Sequence, residues 1–198
     1  MQRVPIRQLT AISLFVATAT AVRVGMNWVA TAVPVPIYGI PIKIGLTETL
    51  TFVSGFVFGP IQGFITGFLT IVVSDLFILP GLWTPFIAAI IGTLGLLAGV
   101  LRRFKHNPNV PFLGMAAVVL TMISELLQNI WLSCYMWTFY MPSTPFMIVF
   151  WIVQGGGIYS MVVALINNVV LFVAVAPKTI NLLQEWVIPK ATEKSDQK

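Results

Sequence analysis

Residues 110–137 read VPFLGMAAVVLTMISELLQNIWLSCYMW, a long apolar run that contains a single charged side chain, Glu125. About 20 consecutive apolar residues are enough for an α-helix to cross the hydrocarbon core of a bilayer. This stretch therefore predicts a transmembrane helix. Its length predicts that the helix tilts, kinks or projects beyond the bilayer.

The rest of the chain has the same apolar character. Of its 198 residues, 58% are hydrophobic and only 9% are charged, and the mean hydropathy is +0.93. Soluble domains carry about 25% charged residues, so this composition excludes a soluble enzyme, a nucleic-acid-binding protein and a disordered chain. One cysteine and one histidine, Cys134 and His106, argue against an internal disulfide and against a metal site. No metal and no cofactor are expected.

The chain contains five further apolar stretches besides residues 110–137. A Gly-Pro pair at 59–60 and a Pro-Gly pair at 80–81 separate some of them. The predicted fold is an all-α membrane protein, a compact bundle of six transmembrane helices. The domain covers residues 1–176 and a C-terminal tail covers residues 177–198. The predicted spans are 8–32, 44–58, 60–79, 84–102, 110–137 and 145–176.

The basic residues predict the orientation of the bundle. Of the eleven Lys and Arg residues, nine precede the first span, follow the fourth or follow the last, and six spans place all nine on one side. Cytoplasmic loops carry the excess of Lys and Arg, so both termini are predicted to be cytoplasmic. The nine are Arg3, Arg7, Arg102, Arg103, Lys105, Lys178, Lys190, Lys194 and Lys198.

Charged and amide side chains within the spans concentrate in the outer half of the predicted bundle. Charges in a membrane interior are costly and tend to face a cavity or a partner, so this asymmetry predicts a polar cavity that opens outward. Two interpretations of Arg23, Lys43 and Asp75 remain open: ligand contact, or structural ion pairs such as Arg23 with Asp75. Glu48 is interpreted as an acid that a helix N-terminus stabilises.

The fifth span carries a polar stripe at four-residue spacing. Thr121, Glu125, Asn129 and Ser133 lie on one face of the helix, and Gln128 flanks them. The stripe forms hydrogen bonds between helices or contacts a ligand. The candidate ligand-binding residues come from this stripe, from the first and last spans and from the first outer loop: Glu125, Gln128, Asn129, Trp151, Gln154, Tyr159, Tyr38 and Arg23.

Small residues recur at four-residue spacing elsewhere and predict close helix packing. They include Ala17 and Ala21 in the first span and glycines in spans two to four. The sequence contains no phosphate-binding loop, so the chain is not expected to hydrolyse ATP. Six helices with an outward cavity and no energy source of their own suggest a binding subunit that a partner powers.

Three motifs strengthen that interpretation: ATATA at 17–21, FVFGP at 56–60, and PGLWTP at 80–85 after Asp75. Together with the length and the helix count, they resemble the substrate-binding S components of energy-coupling factor (ECF) transporters. The resemblance implies a subunit that binds a vitamin on the outer side. It also implies partnership with a transmembrane coupling subunit, which Ala17 and Ala21 would contact, and with two ATPase subunits.

Two other functions remain open: a secondary carrier driven by an ion gradient, and an intramembrane enzyme that uses Glu125 and Asp75 as acid and base. The many aromatic residues favour a planar ligand, and Arg23 and Lys43 permit a carboxylate or phosphate on it. Riboflavin, thiamine and folate-like solutes remain candidates, and a flavin or pterin is favoured. The other expected partner is the lipid bilayer. Nucleic acid is not expected as a partner.

Overall fold

The structure, a computed structural model, describes residues 6–32, 45–104 and 108–187. Those residues form helices joined by short connections, without a strand, so the predicted all-α class is confirmed for them. The helices are α1 (Ile6–Ala32), α2 (Leu46–Phe58), α3 (Pro60–Ile78), α4 (Thr84–Phe104), α5 (Val110–Phe139), α6 (Phe146–Ala174) and α7 (Ala176–Val187).

The helices form a membrane bundle. Among the described residues, five stretches are long and apolar enough to cross a bilayer: Ile6–Trp28, Pro60–Ile78, Thr84–Phe104, Val110–Phe139 and Met161–Glu185. With 13 residues, α2 reaches only about 20 Å at 1.5 Å per residue, less than the ~30 Å hydrocarbon core. The membrane bundle is therefore confirmed, while the count of six spans stays a prediction.

Side-chain contacts show which helix ends lie together. The ion pair of Arg23 with Asp75 joins late α1 to late α3, and Trp83 at the start of α4 packs on Tyr135 late in α5. At the opposite end, α4 meets the turn between α2 and α3. We call the end where α5 ends and α6 begins the outer end, because the basic residues predict it to be external.

Glycines bring α2, α3 and α4 into backbone contact. A Cβ atom placed on Gly55 would lie 1.9 Å from the carbonyl oxygen of Gly95, and one on Gly95 would lie 2.2 Å from that of Gly63. No side chain larger than hydrogen fits at these three positions without moving a helix. The four-residue glycine spacing therefore marks the tightest packing in this part of the bundle, as the sequence predicts.

The turn between α2 and α3 consists of a single residue. Gly59 adopts φ 119°, a conformation that favours glycine, and Pro60 then starts α3, where its missing N–H costs nothing. The Nη1 atom of Arg102 in α4 donates to the carbonyl oxygen of Val57 in the last turn of α2. This cation stabilises the negative end of the α2 dipole.

The last two helices are almost continuous. Val175 separates α6 from α7 and donates its N–H to the carbonyl of Leu171 at 2.7 Å. Ala176 and Ile180 of α7 are fully buried, and α7 packs on α2 as well as on α6. The sequence predicts a tail over residues 177–198. Residues 177–187 of that segment belong to a helix that is attached to the bundle. Residues 188–198 lie outside the described residues.

Candidate functional site

The polar stripe of α5 faces the interior of the bundle. Thr121, Glu125, Asn129 and Ser133 are all buried, as their four-residue spacing predicts. Gln128 is only partly buried, and its Nε2 donates to the Oγ of Ser124 on the same helix at 2.9 Å. The stripe therefore places polar groups against other helices rather than against lipid.

The outer part of the stripe meets α6 at a glycine. A Cβ atom on Gly157 would lie 2.5 Å from Nδ2 of Asn129, so a larger residue at 157 would require that amide to move. Gln154 precedes Gly157 by three residues and lies on the same face of α6. Its Nε2 is buried and has no hydrogen-bond partner among the described residues. The structure thus places Asn129 against Gly157, with Gln154 about 4.5 Å further along α6 toward its start at 1.5 Å per residue.

The inner part of the stripe meets α6 and α2 through Asn168. The Nδ2 of Asn168 donates to the Oγ1 of Thr121 at 2.8 Å, and its side chain lies against Gly45, where α2 begins. Sequence reasoning missed Asn168, although an amide inside an apolar span is itself a signal of helix contact or function.

The contacts of Asn168 with Thr121 and Gly45 place the start of α2 further from the outer end than Asn129. Eight residues separate Thr121 from Asn129, which is about 12 Å along α5 at 1.5 Å per residue. The segment that joins α1 to α2, residues 33–44, includes the predicted site residue Tyr38 and also Lys43, for which ligand contact and an ion pair both remain open. Both lie outside the described residues.

Arg23 belongs to a polar cluster that joins α1, α3 and α4. Its Nη1 lies 2.5 Å from Oδ1 of Asp75 and also donates to the hydroxyl of Ser74. The other carboxylate oxygen of Asp75 accepts a bond of 2.6 Å from Thr84 at the start of α4. The structural ion pair, one of the two interpretations of these residues, is therefore present. A role of Arg23 in ligand binding stays a prediction.

Aromatic side chains at the start of α4, at the end of α5 and immediately beside these ends gather at the outer end. Trp131 stacks on Phe86 with ring centroids 3.5 Å apart, and Tyr135 contacts Trp83 and Tyr140. The indole Nε1 of Trp131 is buried and has no hydrogen-bond partner in the described part of the chain. The candidate ligand-binding residues did not include Trp131.

Trp151, unlike the buried residues of the α5 stripe, is an exposed side chain. It is 64% exposed and packs edge-on against Phe150 of its own helix, so the structure does not bring it together with Asn129. The side chain of Tyr159 lies outside the described part of the chain. Ligand contacts by either residue stay predictions.

A scan against protein families matches residues 4–177 to the ECF-type riboflavin transporter, S component. The match covers most of the chain. The chain belongs to this family. A search of curated proteins and a search of solved structures each found no match. The protein is thus a membrane-embedded substrate-binding subunit for vitamin uptake. Its family consists of transport proteins rather than enzymes. The resemblance drawn from its motifs is confirmed.

This S component leaves the small-residue face of α1 outside the bundle. Ala17 and Ala21 are exposed, whereas Phe15 and Ala19 of the same helix are buried in the core. A Cβ atom on Gly25, one turn further along from Ala21, would meet nothing within 4 Å. The described helices of the S component therefore leave this strip of α1 uncovered. Contact of Ala17 and Ala21 with a coupling subunit stays a prediction.

Proposed function

We propose that this S component binds riboflavin from the outer side of the membrane and passes it to an ECF module. That module would consist of a transmembrane coupling subunit and two ATPase subunits. The family match names riboflavin for its members. A flavin has a flat ring system with carbonyl and N–H groups along one edge, so it needs aromatic surface and hydrogen-bonding amides.

The observation that carries the proposal is the buried, unpartnered Nε2 of Gln154 among the described residues, about one helical turn along α6 from the contact of Asn129 with Gly157. Asn129 offers both a donor and an acceptor, and the Nε2 of Gln154 is a buried donor without a partner among the described residues. An unpaired buried donor costs free energy, and a bound carbonyl group would satisfy it. Residues assigned to the proposed site are Glu125, Gln128, Asn129, Gln154, Trp151, Tyr159, Tyr38 and Arg23.

Riboflavin binding tests the function and the site together. Titration of the purified full chain, followed by quenching of flavin fluorescence, should show saturable binding. Asn129→Ala and Gln154→Ala should each weaken it about five- to 150-fold, because a lost buried hydrogen bond costs about 1–3 kcal/mol.

Thr66→Ala is the matched control for these variants. Thr66 is a buried polar residue of α3 whose hydroxyl bonds Ser54 at 2.7 Å and the carbonyl of Gln62. Its loss should lower thermal stability slightly and leave the affinity for riboflavin almost unchanged. Weaker binding by Thr66→Ala than by Asn129→Ala, in folded variants, would place the site in the other half of the bundle. Absence of binding by the wild-type chain would refute the riboflavin proposal.

We further propose that both termini are cytoplasmic, on the support of the basic residues. Single cysteines introduced after replacement of Cys134 by serine should report this orientation. Cysteines at Asn107 and Lys198 should resist an impermeant thiol reagent in intact cells, whereas cysteines at Tyr38 and Ser143 should react. External labelling at position 107 would reverse the orientation.

A further inference from the structure

Two aromatic pairs join the start of α4 to the outer part of α5. Phe86 stacks on Trp131 with ring centroids 3.5 Å apart. Trp83, which lies one residue before α4, packs edge-on against Tyr135 with centroids 6.1 Å apart. Because Trp131 and Tyr135 are four residues apart on α5, the two pairs follow each other along one face. We call these four residues the aromatic ladder.

An open recess lies beside the ladder on the bundle side of α5. Leu132 follows Glu125 by seven residues, about two helical turns, and so lies on the same side of α5. Glu125 is 2% exposed, whereas Leu132 is 44% exposed, so this side is covered at its middle and open toward the outer end. Around the helix, Leu132 lies between Trp131 and Asn129 at 3.6 residues per turn. The ladder and the amide of Asn129 therefore flank one recess.

A buried carboxylate fixes the turn that carries Trp83. Asp75 is 2% exposed, and its Oδ1 lies 2.5 Å from Nη1 of Arg23. Its Oδ2 accepts a bond of 2.6 Å from the hydroxyl of Thr84. That hydroxyl also accepts from the N–H of Gly81 at 3.2 Å, and the N–H of Thr84 donates to the carbonyl of Gly81 at 3.0 Å. The turn is thus closed on itself and attached to α3.

The closed turn also fixes the indole ring of Trp83. A Cβ atom on Gly81 would lie 2.5 Å from Cη2 of Trp83, so the ring packs on the bare backbone of Gly81. The same ring contacts Tyr135 of α5. A chain of contacts therefore runs from the Asp75 carboxylate through the turn and the indole to α5.

We propose that Asp75 and Thr84 are positioning residues for riboflavin binding. Their hydrogen bond holds the start of α4 and with it Trp83, so that the aromatic ladder forms one wall of the recess. The flat flavin ring packs on that wall. Both carboxylate oxygens are engaged by protein donors, so Asp75 acts through Trp83 rather than by contact with the ligand. This inference deepens the proposed function and rests on it.

Removal of the Thr84 hydroxyl tests the positioning role in the purified full chain. Thr84→Val keeps the shape of the side chain but leaves Oδ2 of Asp75 without this donor. Riboflavin should dissociate about five- to 150-fold faster, the range that corresponds to one unsatisfied buried group. Thr84→Ser, which retains the hydroxyl, should keep the wild-type rate. An acceleration of less than about fivefold by Thr84→Val would overturn the proposal.

Thr93→Val is the matched control on the same helix. The hydroxyl of Thr93 donates to the carbonyl of Ala89 at 2.8 Å on an exposed face, away from the turn, so its loss should leave the dissociation rate almost unchanged. Equal acceleration by Thr93→Val and Thr84→Val would show a general weakening of α4 and would also overturn the positioning role.

A double-mutant cycle with Trp83 separates positioning from a loss of stability. If Thr84 acts through the indole, Thr84→Val combined with Trp83→Leu should release riboflavin no faster than Trp83→Leu alone, because residues that act through one another are not additive. Additive accelerations would contradict the proposal. If Thr84→Val does not fold, Gly81→Ala displaces the ring while the bonds of Asp75 remain, and an unchanged rate in that variant would contradict the proposal equally.

The position of Trp83 is also measurable without riboflavin. In each background, its fluorescence emission is the difference between the spectra of chains with and without Trp83→Phe. Thr84→Val should shift this emission toward that of a solvated indole, whereas Thr84→Ser should not; an unchanged emission in Thr84→Val would refute the positioning of Trp83. If the wild-type chain does not bind riboflavin, the proposed function fails, and the emission still decides whether Thr84 positions Trp83.

Discussion

Replacement of Gly95 by alanine is expected to destabilise the protein by about 3 kcal/mol or more, at or above the upper end of the usual cost of overpacking. A Cβ atom at this position would lie 2.2 Å from the carbonyl oxygen of Gly63. That atom belongs to a helix backbone, and α3 cannot shift without losing its contacts with α2. The gain in helix propensity from glycine to alanine, about 1 kcal/mol, is too small to offset the clash.

Thermal unfolding and the monodisperse yield of purified protein measure this effect. Gly155→Ala is the matched control, because a Cβ atom on Gly155 would meet nothing within 4 Å, and it should keep or slightly raise stability. A Gly95→Ala variant as stable as the wild type would show that α3 and α4 do not pack as closely as the structure has them.

Replacement of Ala17 or Ala21 by leucine is expected to abolish riboflavin uptake by the assembled transporter. Small residues on a helix face allow close approach of a second helix, and a leucine there separates the two backbones. Both alanines are exposed on α1, away from the core, so the solitary subunit should fold and bind riboflavin with wild-type affinity. Co-purification with the coupling subunit and uptake in vesicles that contain the whole module measure the loss.

Ala174→Leu, which enlarges an exposed alanine of α6, is the control and should retain assembly and uptake. If Ala17→Leu loses affinity for riboflavin while it remains folded, the small-residue face is not a docking surface separate from the binding site. Uptake by wild-type S component alone, without the module and abolished by an uncoupler, would instead favour a secondary carrier.

Much of the helical architecture follows from sequence composition and from the residues that end helices. The span predicted at 60–79 is the helix Pro60–Ile78, and the span predicted at 84–102 is Thr84–Phe104. Such agreement arises because a chain with 9% charged residues must put its apolar surface into lipid, and proline and glycine then limit each helix. The four-residue spacing of Thr121, Glu125 and Asn129 likewise predicts their shared burial, because periodicity along one helix is a local property.

Which helix each face meets was decided only by the tertiary structure. Periodicity predicts that the polar stripe of α5 turns inward, but not that Asn129 meets Gly157 or that Thr121 meets Asn168. From the sequence, Arg23 and Asp75 either contact a ligand or form an ion pair. The structure shows the ion pair, between residues 52 positions apart in the chain. The packing of α7 on α2 and the outward position of Trp151 were likewise not predicted. The physical reason is that helix rotation and neighbour choice depend on the summed packing of all helices, whereas one segment of sequence specifies only its own apolar and polar faces.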